Sequence, residues 1–132
     1  GKPRFDHVPA SALVAIGAMT GASLRWAVGE SAAAVGLSLS IAIMGLNVAG
    51  SALVGWLSGR RHRDGPLWPL AAVGFAGGLT TFSGYAVDIA LRMDGGDATT
   101  SAGFGTATVV LALLAAFIAH DRAAKSLSRP HR

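Results

Sequence analysis

The sequence predicts an all-α membrane protein: four transmembrane helices with a break in the third. Three observations carry that expectation: the composition, four apolar runs of spanning length, and a double glycine followed by three hydroxyls inside the third run. Of 132 residues, 52% are hydrophobic and only 14% charged, with a mean hydropathy of +0.50. A soluble domain carries about 25% charged residues, so this chain cannot cover a water-facing surface. The 18 glycines follow no collagen-like period, and in membrane helices glycine lets backbones approach closely. Cysteine is absent, which excludes disulfides and thiolate metal sites.

The apolar runs are Val8–Val28, Ala32–Leu57, Leu67–Leu91 and Ser101–Ala119. Each reaches the roughly 20 residues that cross a hydrocarbon core. The backbone inside a bilayer must bond to itself, so the runs are helices. They form one transmembrane domain over residues 1–132, joined at Gly29-Glu30, at 58–66 and at 92–100. The first apolar run reads as a spanning helix, with no cleavable signal peptide. Short connections imply an up-down-up-down bundle with both termini on one side.

Charge chooses that side. The net charge of +4 could suggest a nucleic-acid partner, but the basic residues sit at the ends of apolar runs, as topology signals do. Nine fall on the side of the N-terminus: Lys2, Arg4, Arg60, Arg61, Arg63, Arg122, Lys125, Arg129 and Arg132. Only Arg25 and Arg92 are assigned to the opposite side. The expectation is a multi-pass protein of the plasma membrane with both termini cytoplasmic.

Catalytic chemistry has little support. The four histidines lie at flanks or in the tails, the only candidate carboxylate within a span is Asp88, and no hydrolase, metalloprotease or phosphate-loop motif occurs. The candidate residues are uncharged. Asn47 stands midway along the second run, with Ser51 one turn later on the same face. In the third run, Gly77-Gly78 precede Thr80, Thr81 and Ser83. Paired glycines weaken a helix, and hydroxyls can take up the freed backbone groups. Such a break is tolerated only where it is buried in protein or lines a cavity. Glycine pairs four apart (Gly17/Gly21, Gly55/Gly59 and Gly74/Gly78) mark close helix crossings, within the chain or across a dimer.

These segments resemble a known family. Gly77-Gly78-Leu79-Thr80-Thr81-Phe82-Ser83 is similar to the signature of the Fluc (CrcB) fluoride channels. Asn47-Val48-Ala49-Gly50-Ser51 and Gly21-Ala22-Ser23-Leu24-Arg25-Trp26 are similar to further family segments, in the same order and spacing. The resemblance implies passive fluoride efflux through an antiparallel dimer of inverted subunits, with narrow paths along their interface. A structural sodium ion at the dimer centre would be held by the backbone carbonyls of Gly77 and Thr80. Asn47 would be the pore amide, Phe82 a pore ring, Ser83 part of the polar track, and Arg25 a cap of the first helix near a vestibule. Five positions depart from the pattern: Tyr85 stands for a phenylalanine, Ile43 and Gly84 for threonines, and Phe104 with Thr108 for a tyrosine–serine pair.

The partners so implied are fluoride, sodium, the lipid bilayer and a second inverted subunit, with no nucleic acid. A chain that inserts both ways should carry balanced flanking charge, so the bias favours one orientation and a homologous partner inserted the other way. An inverted homodimer stays open. Two rival readings differ in class. A small multidrug-type proton-coupled exporter needs an embedded carboxylate that the first run lacks. A non-transporting tetraspan assembly protein has no use for the hydroxyls of the third.

Overall fold

The computed structural model describes residues 8–60 and 65–127. Helix α1 runs Ala10–Ala34 and α2 Leu39–Gly59. The third span is composite: a wide-turned π-helical segment Trp68–Phe75, helix α3 Ala76–Leu79, then α4 Phe82–Asp94. Helix α5, Ala98–Leu127, completes the bundle. All four spans are long and apolar enough to cross a membrane, and at most 28% of any spanning window is buried within the chain. Most of the side-chain surface therefore faces something other than this chain, as a multi-pass membrane protein requires.

The turns explain where the spans end. Helix α1 continues through Gly29-Glu30, where the sequence reading put a connection, and stops at Ala34, four residues after Glu30. Gly36 has φ +74°, which glycine adopts without strain. The N–H of Leu37 reaches back to the carbonyl of Ala32 and that of Gly36 to Ala33, at 2.9 and 3.1 Å. That pair of bonds is the Schellman cap. Ser38 then opens α2, its hydroxyl accepting from the N–H of Ile41. The same cap closes α4: Gly96 has φ +86°, and the N–H of Asp97 and of Gly96 bond to Arg92 and Met93.

Two close pairings build the bundle: α1 lies along the first half of the third span, and α2 lies along α5. Glycines set both. A Cβ on Gly17 would strike the carbonyl of Leu70, and one on Gly21 the carbonyl of Phe75. From the other side, Gly74 faces the backbone of Val14 and Gly78 that of Ala18. Gly55 and Gly59 play this part against Ala116 and His120 of α5. The spaced glycines are thus used inside the chain, where they bring backbone onto backbone.

The break lies at Thr80-Thr81, not at the glycine pair. Gly77 and Gly78 remain helical within α3, because Gly78 is needed for contact with α1. Trp68–Phe75 widens as a π-helix, the N–H of Ala76 bonding to the carbonyl of Ala71. Of the basic residues used to orient the chain, Lys2, Arg4, Arg61, Arg63, Arg129 and Arg132 lie outside the described residues.

Candidate functional site: a helix break beside an open groove

Thr80 (φ −80°, ψ 153°) and Thr81 (φ −147°, ψ 118°) are extended, a conformation that β-branched residues accept readily. Two extended residues inside a membrane helix free several backbone groups, each costing several kcal/mol if left bare in lipid. Side chains from three elements take them up. The N–H of Thr81 donates to Asn47 Oδ1 at 2.9 Å, and Asn47 Nδ2 donates to the carbonyl of Thr81 at 3.3 Å. One carboxamide of α2 therefore replaces both helical partners of Thr81. The carbonyl of Thr80 accepts from Arg25 Nη1 of α1 at 3.0 Å. The Thr81 hydroxyl accepts from the N–H of Gly84 at 3.0 Å and so caps α4. The Thr80 hydroxyl donates to the carbonyl of Ala76 at 2.9 Å.

This places Arg25 differently from the sequence reading. It does not cap the first helix, whose last residue is nine further on at Ala34, about two and a half turns away. Its guanidinium is half-buried and bonded at the break. The N-terminus of α4 adds a positive dipole end at the same point, so the local field favours an anion.

Beside the break opens a groove of about 270 Å³ whose lining includes Asn47, Ser51, Phe82, Tyr85 and Thr108. These residues come from α2, α4 and α5. Phe82 is 78% exposed, and its ring centroid lies 5.7 Å from that of Tyr85 at an interplanar angle of 47°. The Tyr85 hydroxyl reaches α5 where Gly105 leaves space, 2.6 Å from where a Cβ would stand. Thr108 is buried, and its hydroxyl donates to the carbonyl of Phe104 at 3.0 Å. Asn47 spends one amide hydrogen on Thr81; an amide nitrogen carries two.

The remaining named residues lie apart from the groove lining. Ile43 is buried under the first turn of α4, its Cδ1 3.4 Å from a Cβ built on Gly84. Ser83 is exposed, its hydroxyl 3.2 Å from that of Thr81. Phe104 sits with the guanidinium carbon of Arg92 5.9 Å from its ring centroid. Arg92 belongs to a cluster the sequence reading did not assemble. It donates to Asp88 at 3.1 Å and to the Ser40 hydroxyl at 2.7 Å, while Ser40 donates to Asp88 at 2.7 Å. The Asp88/Arg92 spacing of four was a legible helix pair; Ser40 comes from another helix and was not.

Gly77 and Thr80 were expected to offer carbonyls to a cation. In an unbroken helix the Gly77 carbonyl would accept from the N–H of Thr81, which is bonded to Asn47 instead. Gly77 is exposed on a second recess of about 260 Å³, shared with Gly50, Ser51 and Thr80. Thr80 keeps one lone pair beyond its bond to Arg25. Two carbonyl oxygens from one chain are too few to enclose a cation.

Residues 12–120 match the family described as CrcB-like protein, Camphor Resistance (CrcB). A Fluoride-specific ion channel FluC of Novosphingobium aromaticivorans is 35% identical over 83% of this chain and 91% of its own length. That of Paracoccus denitrificans is 33% identical over 77% and 84%. That of Ruegeria pomeroyi is 49% identical over a shorter stretch, 46% of this chain and 50% of the relative. The chain belongs to the CrcB family.

Proposed function

We propose that this member of the CrcB family is a fluoride channel subunit, not an enzyme, and gives passive fluoride efflux. The observation that carries the reading is the open groove at the helix break, flanked by Asn47 and the exposed ring of Phe82. Fluoride is small and holds water tightly, so a narrow path must replace that water with donors. The second N–H of Asn47 and the hydroxyls of Thr81 and Tyr85 in the groove are such donors, and the exposed Ser83 hydroxyl stands 3.2 Å from that of Thr81. The edge of an aromatic ring is electropositive and faces an anion favourably. Arg25 contributes fixed positive charge close by. Ile43 and Phe104 lie apart from the groove and serve packing, and Thr108 holds its own helix, so none of the three donates to the ion.

The proposed assembly is an inverted dimer. Helix α4 has no buried residue, and the Phe82 ring needs a second wall to make a path of the groove. Sodium would bind where the Gly77 and Thr80 carbonyls of two subunits meet, and would there offset the cost of placing anions in low dielectric. Arg25 also competes for Thr80, so Gly77 is the principal ligand from each chain.

Orientation follows from charge. With Arg25 drawn to the break and Arg92 neutralised by Asp88 at 3.1 Å, the far end offers almost no positive flank against nine at the other. The proposed topology has both termini cytoplasmic in the plasma membrane, and the partner is a homologous chain inserted the other way. Proteoliposomes monitored with a fluoride electrode test the function: rapid efflux is expected when the two homologues are reconstituted together. Absence of efflux there would overturn the channel reading, whereas robust efflux from this chain alone would overturn only the need for a different partner.

A further inference from the structure

A groove at the opposite face of α2 remains unaccounted for by transport. It has a volume of about 510 Å³ and runs between α2 and α5, with Ala52, Ala115 and Ala119 along its floor. Trp56, Arg60 and Arg122 also line it. From Asn47 to Trp56 is nine residues, about two and a half turns, so Trp56 points away from the side that carries the fluoride groove. The volume falls in the range of ligand clefts, about 300–1,000 Å³. Small residues on both helices leave the floor low and apolar, as a hydrocarbon chain requires.

The charge is arranged at one end only. Arg60 follows the last residue of α2, and its guanidinium carbon lies 4.5 Å from the Trp56 ring centroid. That stacking holds the guanidinium in place. Arg122 reaches the same end from α5 and is exposed. Asp121, the acidic residue next to Arg122, is engaged by Lys125 at 2.6 Å, and Asp64, the acidic residue nearest Arg60 in sequence, lies outside the described residues. Among the described residues, neither arginine has a carboxylate partner. Two guanidinium forks beside a tryptophan, above an alanine-floored channel, match one chemistry: a phosphate head on an acyl chain. Guanidinium binds phosphate in bidentate fashion, tryptophan prefers the level of the lipid headgroups, and basic pockets between membrane helices hold anionic headgroups.

We infer that this groove is a binding site for an anionic phospholipid. The phosphate sits between Arg60 and Arg122, and one acyl chain lies along Ala52, Ala115 and Ala119. The site needs no particular reading of cargo or orientation, since it follows from one face of the α2–α5 pair. Its occupancy would tie α2 to α5 on the side opposite the break.

The test uses the full chain purified in dodecylmaltoside, with palmitoyl-oleoyl phosphatidylglycerol or the matching phosphatidylcholine added back. Native mass spectrometry counts retained lipid, and thermal unfolding reads stabilisation. Wild-type protein is expected to retain phosphatidylglycerol about tenfold over phosphatidylcholine, with a matching rise in Tm. Arg60→Gln and Arg122→Gln, each alone, should reduce that preference, and together bring it near parity. Ala119→Leu keeps both charges but fills the floor, and should lower retention of the anionic lipid without altering net charge. Arg129→Gln with Arg132→Gln removes as much charge from the tail and should leave the preference intact. Equal retention of both lipids by the wild type overturns the inference. So does a preference that survives the Arg60/Arg122 pair or falls with the tail pair.

Discussion

The two halves of the third span meet the same requirement by opposite means. Its first half, Trp68–Leu79, lies against α1 with backbone touching backbone, and Ala72, Gly74, Ala76 and Leu79 are buried. Its second half, Phe82–Asp94, buries none of its residues within the chain. The first half is held by the absence of side chains, the second by a few polar ones. Asn47, Thr81 and the Ser40–Asp88–Arg92 cluster fix α4 at its two ends. Packing through glycine gives dispersion contact at every turn and tolerates no added atom. Holding through hydrogen bonds leaves a helix face free, and that freed face carries the groove. The contrast teaches that packing through glycine closes one half of the span, while tethering through hydrogen bonds leaves the other half open.

Substitutions should separate the halves, and the largest effect belongs to the packed one. Gly17→Val and Gly21→Val place atoms into the carbonyls of Leu70 and Phe75. Overpacking costs about 1–3 kcal/mol, and here the added atoms meet rigid backbone, so monodisperse protein should be lost on size-exclusion chromatography. If both variants purify normally with full flux, the backbone contact is not what sets the bundle. Next comes the tether. Asn47→Ala leaves the Thr81 N–H and carbonyl without partners, at about 1–3 kcal/mol for each group, and should lower Tm as well as abolish flux. Asn47→Asp keeps the acceptor for the Thr81 N–H but brings a negative charge to the anion's path; its flux should vanish with a smaller loss of Tm. Equal thermal losses in the two variants would show that the acceptor bond contributes nothing.

Phe82→Ile should split the readouts fully. The ring is 78% exposed, so stability in detergent should stay within about 0.5 kcal/mol of wild type, with little change in Tm. Fluoride efflux should drop about tenfold, the worth of a favourable ring-edge contact. Flux at the wild-type rate would make the ring a packing element only. The smallest effect is expected at Gly105→Ala, whose new methyl would press on the Tyr85 hydroxyl at 2.6 Å. A loss of about 1 kcal/mol should be relieved by adding Tyr85→Phe. The contact with Ile89 Cδ1 at 2.9 Å remains in both variants, so partial relief is expected and no relief at all would place the Tyr85 hydroxyl elsewhere.

Some of the site was legible because its signals are local. Thr80 and Thr81 beside a glycine pair announced a break, and Asn47 in an apolar run announced a polar contact. The break's position was not legible, because Gly77 and Gly78 look like the weakest helical residues until Ala18 is seen lying against Gly78. The end of α1 was misjudged for the reverse reason. Gly29-Glu30 looked like a turn, whereas the helix ends where Gly36 takes a positive φ and closes a Schellman cap. Arg25 moved with it, from a helix end to a bond with Thr80.

By itself the sequence determined that the chain is a four-span helical membrane protein with a polar interruption in its third span. Apolar length and the cost of bare backbone in lipid permit nothing else. Only the tertiary structure decided which groups satisfy that interruption. Asn47 and Thr81 are 34 residues apart, and Arg25 and Thr80 are 55 apart. Partners at such separations are chosen by how helices cross, and the crossings are set by where glycine lets two backbones touch.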